Sequence, residues 1–202
     1  FGTVGKPLKG TEIILAKDGE ILVRGPGVFQ GYLKDAQATA DAFTDEGFFK
    51  TGDLGVIEDG FIRIVGRKKE IIVTAGGKNI APVPIEQALA GGIIGQAVVI
   101  GDDRPYLCAL IAPNIEVLNA RASAENWEGT VADWCNREDV RDAIASQISK
   151  ANEKLAQFET IKRWQVVPED FSEARGMLTP TMKLKRPVIH EHYKQTIEGM
   201  YS

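Results

Sequence analysis

Three short segments of the 202-residue chain carry residue types and spacings suited to chemistry. In Phe48-Phe49-Lys50-Thr51-Gly52-Asp53-Leu54-Gly55 an aspartate follows Thr-Gly, at what reads as a turn between strands. An ionised carboxylate only accepts hydrogen bonds, and both its oxygens can face one ligand, which suits a vicinal diol such as a ribose. In the second segment, from Asp59 to Val73, a strand delivers Arg67 to a charged joint, where a planar group with five donors can grip a nucleotide. The same segment runs on through Thr74-Ala75-Gly76-Gly77-Lys78, and Gly76 and Gly77 allow close backbone approach to a narrow ligand. In the third, Leu178-Thr179-Pro180-Thr181-Met182-Lys183-Leu184-Lys185-Arg186-Pro187, Lys183 and Lys185 fall on one side if the stretch is extended. A cationic tip of that kind meets phosphate or carboxylate oxygens. Taken singly, each segment also fits an ordinary turn aspartate, a surface cation, a turn glycine or a solvated basic patch.

Other patterns fail on inspection. Gly25-Pro26-Gly27-Val28-Phe29-Gln30-Gly31 follows a strand but has one residue too many for a dinucleotide fingerprint, and Pro26 and Gly31 make it a turn. Gly76-Gly77-Lys78-Asn79 resembles the end of a phosphate loop, yet Ile72 stands where its first glycine belongs and Asn79 where Ser or Thr would hold magnesium. His190 and His192, two apart on an expected helix, point to different faces and read as surface histidines, so no metal site is assigned. No local spacing suggests a Ser/His/Asp or Cys/His arrangement.

These segments need a scaffold, and the chain between them supplies one. Strand formers at 11–16 and 20–24 flank Asp18-Gly19, which predicts a hairpin. Residues 35–43 predict a short helix starting near Asp35. A second hairpin is expected around Asp59-Gly60, so the first third reads as a small barrel or distorted sheet. The run Gly66-Arg67-Lys68-Lys69-Glu70 is either a solvated turn or a joint between lobes, and the boundary is placed there. Beyond it the pattern is α+β. A helix at 85–90 stops at Gly91-Gly92, strands follow at 96–101 and 107–112, a long helix covers 137–157, a strand covers 161–167, and a last helix covers 187–201. Ile189, Tyr193, Ile197 and Met200 share one face of that last helix.

Composition narrows the class. The formal charge of −4 argues against nucleic acid as a partner. With 44% hydrophobic and 26% charged residues, the chain has ordinary globular usage rather than that of a disordered segment. Two cysteines, Cys108 and Cys135, cannot make a disulfide scaffold or a four-thiolate zinc site, and they fit a reducing compartment. No apolar run approaches the length of a membrane helix. The opening residue is Phe1 rather than Met, so the chain is expected to be a piece of a longer protein.

In order and spacing, the three segments resemble the C-terminal third of the adenylate-forming superfamily, in particular long-chain fatty acyl-CoA synthetases. The resemblance covers essentially the whole chain. It opens at Phe1-Gly2-Thr3-Val4-Gly5-Lys6-Pro7, which resembles the stretch after the family's acyl-pocket region, and the best clues to the long-chain branch are Gly66-Arg67-Lys68-Lys69-Glu70-Ile71-Ile72-Val73-Thr74 and Thr179-Pro180-Thr181-Met182-Lys183-Leu184-Lys185-Arg186. It implies a ligase in which ATP and a fatty acid give an acyl-adenylate and pyrophosphate, after which the small C-terminal domain rotates and the CoA thiol attacks. Asp53 then corresponds to the aspartate on the ribose hydroxyls, and Arg67 to the arginine that reaches the nucleotide sugar. Ile64 corresponds to an apolar residue near the adenosine, and Lys69 to the hinge. Lys183 corresponds to the lysine on the α-phosphate and substrate oxygens. Gly76 and Gly77 lie in the loop that resembles the pantetheine-tunnel loop. In the usual family form a glycine precedes the lysine, whereas Met182 stands here.

The resemblance also implies a division. Residues 1–66 would be the C-terminal end of a large, β-rich adenylation domain, and residues 67–202 a mobile α+β C-terminal domain. The phosphate loop, acyl pocket and magnesium-binding glutamate are expected upstream of Phe1, so the chain alone is expected to be inactive. The expected ligands are ATP or AMP, fatty acid and CoA, with Mg²⁺ held outside this chain. A cytoplasmic location with room for peripheral membrane contact follows, and no oligomeric state is assigned. A carrier-protein or aryl/acyl ligase of the same superfamily and a non-catalytic binding module are the alternatives.

Overall fold

The computed structural model describes residues 2–202, and Phe1 of the Phe1–Pro7 stretch lies outside them. Two compact units part between Ile71 and Ile72. The first carries β1 (Glu12–Leu15), β2 (Glu20–Arg24), α1 (Ala36–Ala42), β3 (Phe49–Glu58) and β4 (Phe61–Arg67), and ends in a 3₁₀ turn at Lys68–Glu70. The four strands form a curled antiparallel half-barrel in the order β1-β2-β3-β4.

Local chemistry accounts for these elements. Asp59 and Gly60 both adopt positive φ, 51° and 79°, the geometry of a tight two-residue hairpin turn between β3 and β4. Asp35 caps α1 by accepting the Ala38 N–H at 2.9 Å. The unit buries Ile21, Leu22, Phe48 and Ile62. Gly55 must lack a side chain, since a Cβ there would lie 2.5 Å from Ile21 Cδ1 and 2.8 Å from the Arg63 carbonyl.

The second unit holds the hairpin arms β5 (Ile72–Val73) and β6 (Asn79–Ile80), then α2 (Pro82–Leu89), β7 (Ile94–Ile100), β8 (Leu107–Pro113), α3 (Ile115–Glu125), α4 (Val131–Cys135), α5 (Glu138–Asn152), β9 (Ile161–Val166), α6 (Arg186–His192) and α7 (Lys194–Gly199). β8 is central, antiparallel to β7 and parallel to β9. Every residue of β8 is buried. Because strand side chains alternate, Leu107, Ala109 and Ile111 join one core with α2 and α5, while Cys108, Leu110 and Ala112 join another with α6 and α7. Cys108 and Cys135 are free and buried. Among the described residues no helix is long and apolar enough to cross a membrane.

Several expectations need correction. The long helix predicted to 157 stops at Asn152, whose side-chain amide bonds both the N–H and the C=O of Ile161 (2.9 and 3.0 Å) and so turns the chain into β9. The helix predicted over 187–201 is broken at Tyr193, which is buried and caps both α6 and α7. The shared face survives the break, for Ile189, Tyr193, Ile197 and Met200 are all buried. α3 and α4 were not anticipated. His190 is no surface histidine: it is half-buried, and its Nε2 has no partner among the described residues. Burial, then the Arg186 charge, holds its pKa below the usual imidazole value.

Candidate functional site

Asp53 does not sit on a turn between strands, as its sequence context suggested, but inside β3, opposite Arg67 at the end of β4. The two are joined by an ion pair, Arg67 Nε to Asp53 Oδ1 at 2.7 Å. The Asp53 side chain is 23% exposed and that of Arg67 56%. A carboxylate has about four lone-pair sites, so one donor from Arg67 leaves capacity for a hydroxyl pair.

The stretch around Asp53 departs from regular pairing. Glu20 pairs with Leu54 and Leu22 with Lys50, so residues 51–53 face the single residue Ile21. Gly52 takes φ +72°, which suits glycine. Side chains replace the missing ladder bonds. The Thr51 hydroxyl donates to the Ile21 carbonyl at 2.7 Å and accepts the Asp53 N–H at 3.0 Å. The buried Glu20 carboxylate accepts the Gly52 N–H at 2.9 Å and the Lys68 ammonium at 2.9 Å. Lys68 also bonds Asp18 at 2.6 Å, and that contact, with Glu20, pushes the lysine pKa well up while drawing the Asp18 carboxyl down. Lys68 is therefore an anchored cation rather than part of a freely solvated charge run. This network was missed because 48 residues separate Glu20 from Lys68.

Ile64 on β4 pairs with Gly55 and presents an apolar side chain that is 47% exposed. Lys69 is exposed in the 3₁₀ turn, two residues ahead of the last residue of the first unit.

In the second unit, Gly76 and Gly77 form the tip of the β5–β6 hairpin. Thr74 closes it: its N–H donates to the Lys78 carbonyl (3.0 Å), its carbonyl accepts the Gly77 N–H (2.8 Å), and its hydroxyl accepts the Lys78 N–H (3.1 Å). Gly77 has φ +74° and open space around it, while nothing stands closer than 4.0 Å to a Cβ placed on Gly76. The backbone thus requires glycine at 77, and both positions leave the tip bare.

Lys183 lies on a tight loop whose base is the Leu178–Leu184 bridge. The Thr179 N–H donates to the Lys183 carbonyl at 2.8 Å, and the Lys183 N–H donates to the Thr179 hydroxyl at 3.1 Å. Met182, with φ +60°, makes the turn. Lys183 is exposed, and among the described residues its ammonium enters no ion pair. Arg186, close in sequence to Lys183 and Lys185, does not join them in a cationic tip. Arg186 folds inward onto Glu86 through two bonds of 2.7 Å, and Glu86 also accepts the Val99 N–H at 2.8 Å. Their side chains are only 15% and 9% exposed. Among the described residues no group of three or more His, Cys, Asp or Glu side chains is placed to hold a metal ion.

Residues 69–202 match the family model described as the AMP-binding enzyme C-terminal domain. A long-chain-fatty-acid–CoA ligase, FadD15 of Mycobacterium tuberculosis, is 47% identical over 206 aligned residues, covering 100% of this chain and 34% of the relative. Human long-chain-fatty-acid–CoA ligase 6 is 36% identical, covering 100% of this chain and 31% of its own length. The chain thus spans about a third of the curated relatives it matches. The A-PCP didomain of carboxylic acid reductase from Segniliparus rugosus, in complex with AMP, superposes with a TM-score of 0.77 over 98% of this chain and 28% of that one; at 23% identity it attests the shared fold.

Proposed function

The chain belongs to the family of AMP-binding enzyme C-terminal domains, and from that premise we propose that it is the C-terminal portion of a long-chain fatty acid–CoA ligase. Residues 1–66 are read as the end of the large adenylation domain and 67–202 as the mobile domain. The intact ligase would join a fatty acid to CoA through an acyl-adenylate, consuming ATP and releasing AMP and pyrophosphate. The ligase names of relatives 47% and 36% identical over the whole chain support that reading.

The observation that carries it is the Asp53–Arg67 pair, a carboxylate with spare acceptor capacity fixed beside a guanidinium on a neighbouring strand. Asp53 would accept the two ribose hydroxyls, with Arg67 orienting the carboxylate and reaching the sugar. Ile64 would offer apolar contact to the adenosine. Lys69 would be the hinge about which the backbone turns. Lys183 would offset charge at the α-phosphate, a task that needs a cation and no proton transfer. The bare Gly76-Gly77 tip would let the backbone approach the pantetheine arm of CoA. A cytoplasmic location with peripheral membrane contact belongs to the same reading.

Removal of the ribose hydroxyls tests it. In the intact ligase, kcat/KM for 2′,3′-dideoxy-ATP is expected to fall about 10²-fold below that for ATP, because bonds to an ionised acceptor are lost. Asp53→Ala should narrow that ratio to about threefold by weakening ATP selectively. An Asp53→Ala variant that loses activity equally with both nucleotides contradicts the assignment.

A further inference from the structure

We propose that Glu20 is a positioning residue for the nucleotide-gripping pair, acting through Gly52 and Lys68; the inference rests on the reading of Asp53 and Arg67 given above. Glu20 opens β2 and is 5% exposed. A carboxylate so buried is tolerated only when its oxygens are engaged. One oxygen takes the N–H of Gly52, the residue before Asp53, and the other takes the ammonium of Lys68, the residue after Arg67. A single side chain therefore holds the chain neighbour of each member of the pair, one on β3 and one at the end of β4.

The need for such a clamp is local. Regular pairing between β2 and β3 lapses at residues 51–53, and Gly52 is turned to positive φ, so β2 gives Asp53 no ladder support and its strand pairing is with Arg67 on β4 alone. Arg67 stands at the last position of β4, where the strand gives way to the turn containing Lys68. Asp18 completes the arrangement: one oxygen takes Lys68 and the other accepts the Glu20 N–H at 3.2 Å. An apolar residue at position 20 would leave Gly52 and Lys68 untied.

Steady-state kinetics of the intact ligase tests this with Glu20→Gln, Lys68→Met, Asp53→Asn and the double variant Glu20→Gln/Asp53→Asn. Glutamine keeps the volume and an acceptor for Gly52, but it turns amide protons or a weaker acceptor toward Lys68. Glu20→Gln and Lys68→Met should each raise KM for ATP roughly tenfold, as expected for a slight misplacement of a binding group, with KM for the fatty acid within about twofold of wild type. The double variant should be no worse for ATP than Asp53→Asn alone, because Glu20 acts through Asp53. Equal rises in both KM values, or multiplied effects in the double variant, would mean general loosening and overturn the proposal. Should Glu20→Gln not fold, Lys68→Met carries the same test, since the Lys68 side chain is 49% exposed. An ATP KM sensitive to Asp53→Asn but not to Glu20→Gln or Lys68→Met overturns this inference alone. Insensitivity to Asp53→Asn overturns the ribose reading with it.

Discussion

Replacing Lys183 by alanine in the intact protein is expected, on the proposed ligase reading, to slow acyl-adenylate formation by about 10²–10³-fold, while thioester formation from ready-made acyl-adenylate stays within about threefold. The contrast comes from where charge develops. Attack of a carboxylate on the α-phosphate gathers negative charge on phosphoryl oxygens, and an ammonium held there stabilises the transition state more than the ground state. The loop suits that task. Lys183 is exposed and free of ion pairs among the described residues, yet its backbone is pinned on both sides by Thr179. Lys185→Ala is the internal control, because its N–H is held by the Met177 carbonyl and its side chain is half-buried beside the loop. Pyrophosphate exchange reads the first half-reaction, and CoA consumption from synthetic acyl-adenylate reads the second. Equal loss of both refutes the role of Lys183, and a larger first-step loss in Lys185→Ala moves the role to that residue.

The second large effect is on stability. Arg186→Ala should destabilise the second unit by about 3–5 kcal/mol, since it strands a buried carboxylate. Glu86 is 7% exposed and would keep only the Val99 N–H of its three donors. All three tryptophans of the chain, Trp127, Trp134 and Trp164, belong to the second unit, so tryptophan fluorescence during denaturant unfolding of the 202-residue chain reports that unit. A shift below about 1 kcal/mol, typical of an exposed ion pair, would mean that the pair is solvated. The clasp joins α2 to the start of α6, three residues beyond Lys183, and thus fixes one end of the loop that presents the lysine.

What could be read from the sequence follows the range of the interactions involved. Both Asp-Gly hairpins and the Asp35 cap are written in adjacent residues, and they stand where expected. The apolar face of the last helix was legible from spacing, whereas its break at Tyr193 was not, because that break accompanies contact with Phe171 and Glu169 from a distant segment. α3 carries little periodic signal because only Leu118 and Ala122 are buried, too few to mark an apolar stripe; its mark in the sequence is the cap, Asn114, which accepts the N–H groups of Glu116 and Val117. α4 is five residues long and is marked only by the Thr130–Asp133 capping box.

The same rule divides the candidate site. Asp53, Arg67 and Lys183 were singled out because their side-chain chemistry is apparent from type and context. The residues that fix them were invisible: Glu20 meets Lys68 across 48 positions and Glu86 meets Arg186 across 100.

The protein carrying this chain is proposed to make acyl-CoA through an adenylate. The most direct measurement supplies the intact protein with ATP, palmitate and CoA and follows every product. Palmitoyl-CoA, AMP and pyrophosphate are expected in equal amounts, with no ADP. Formation of ADP and phosphate, or nucleotide binding without any acyl transfer, would contradict that proposal.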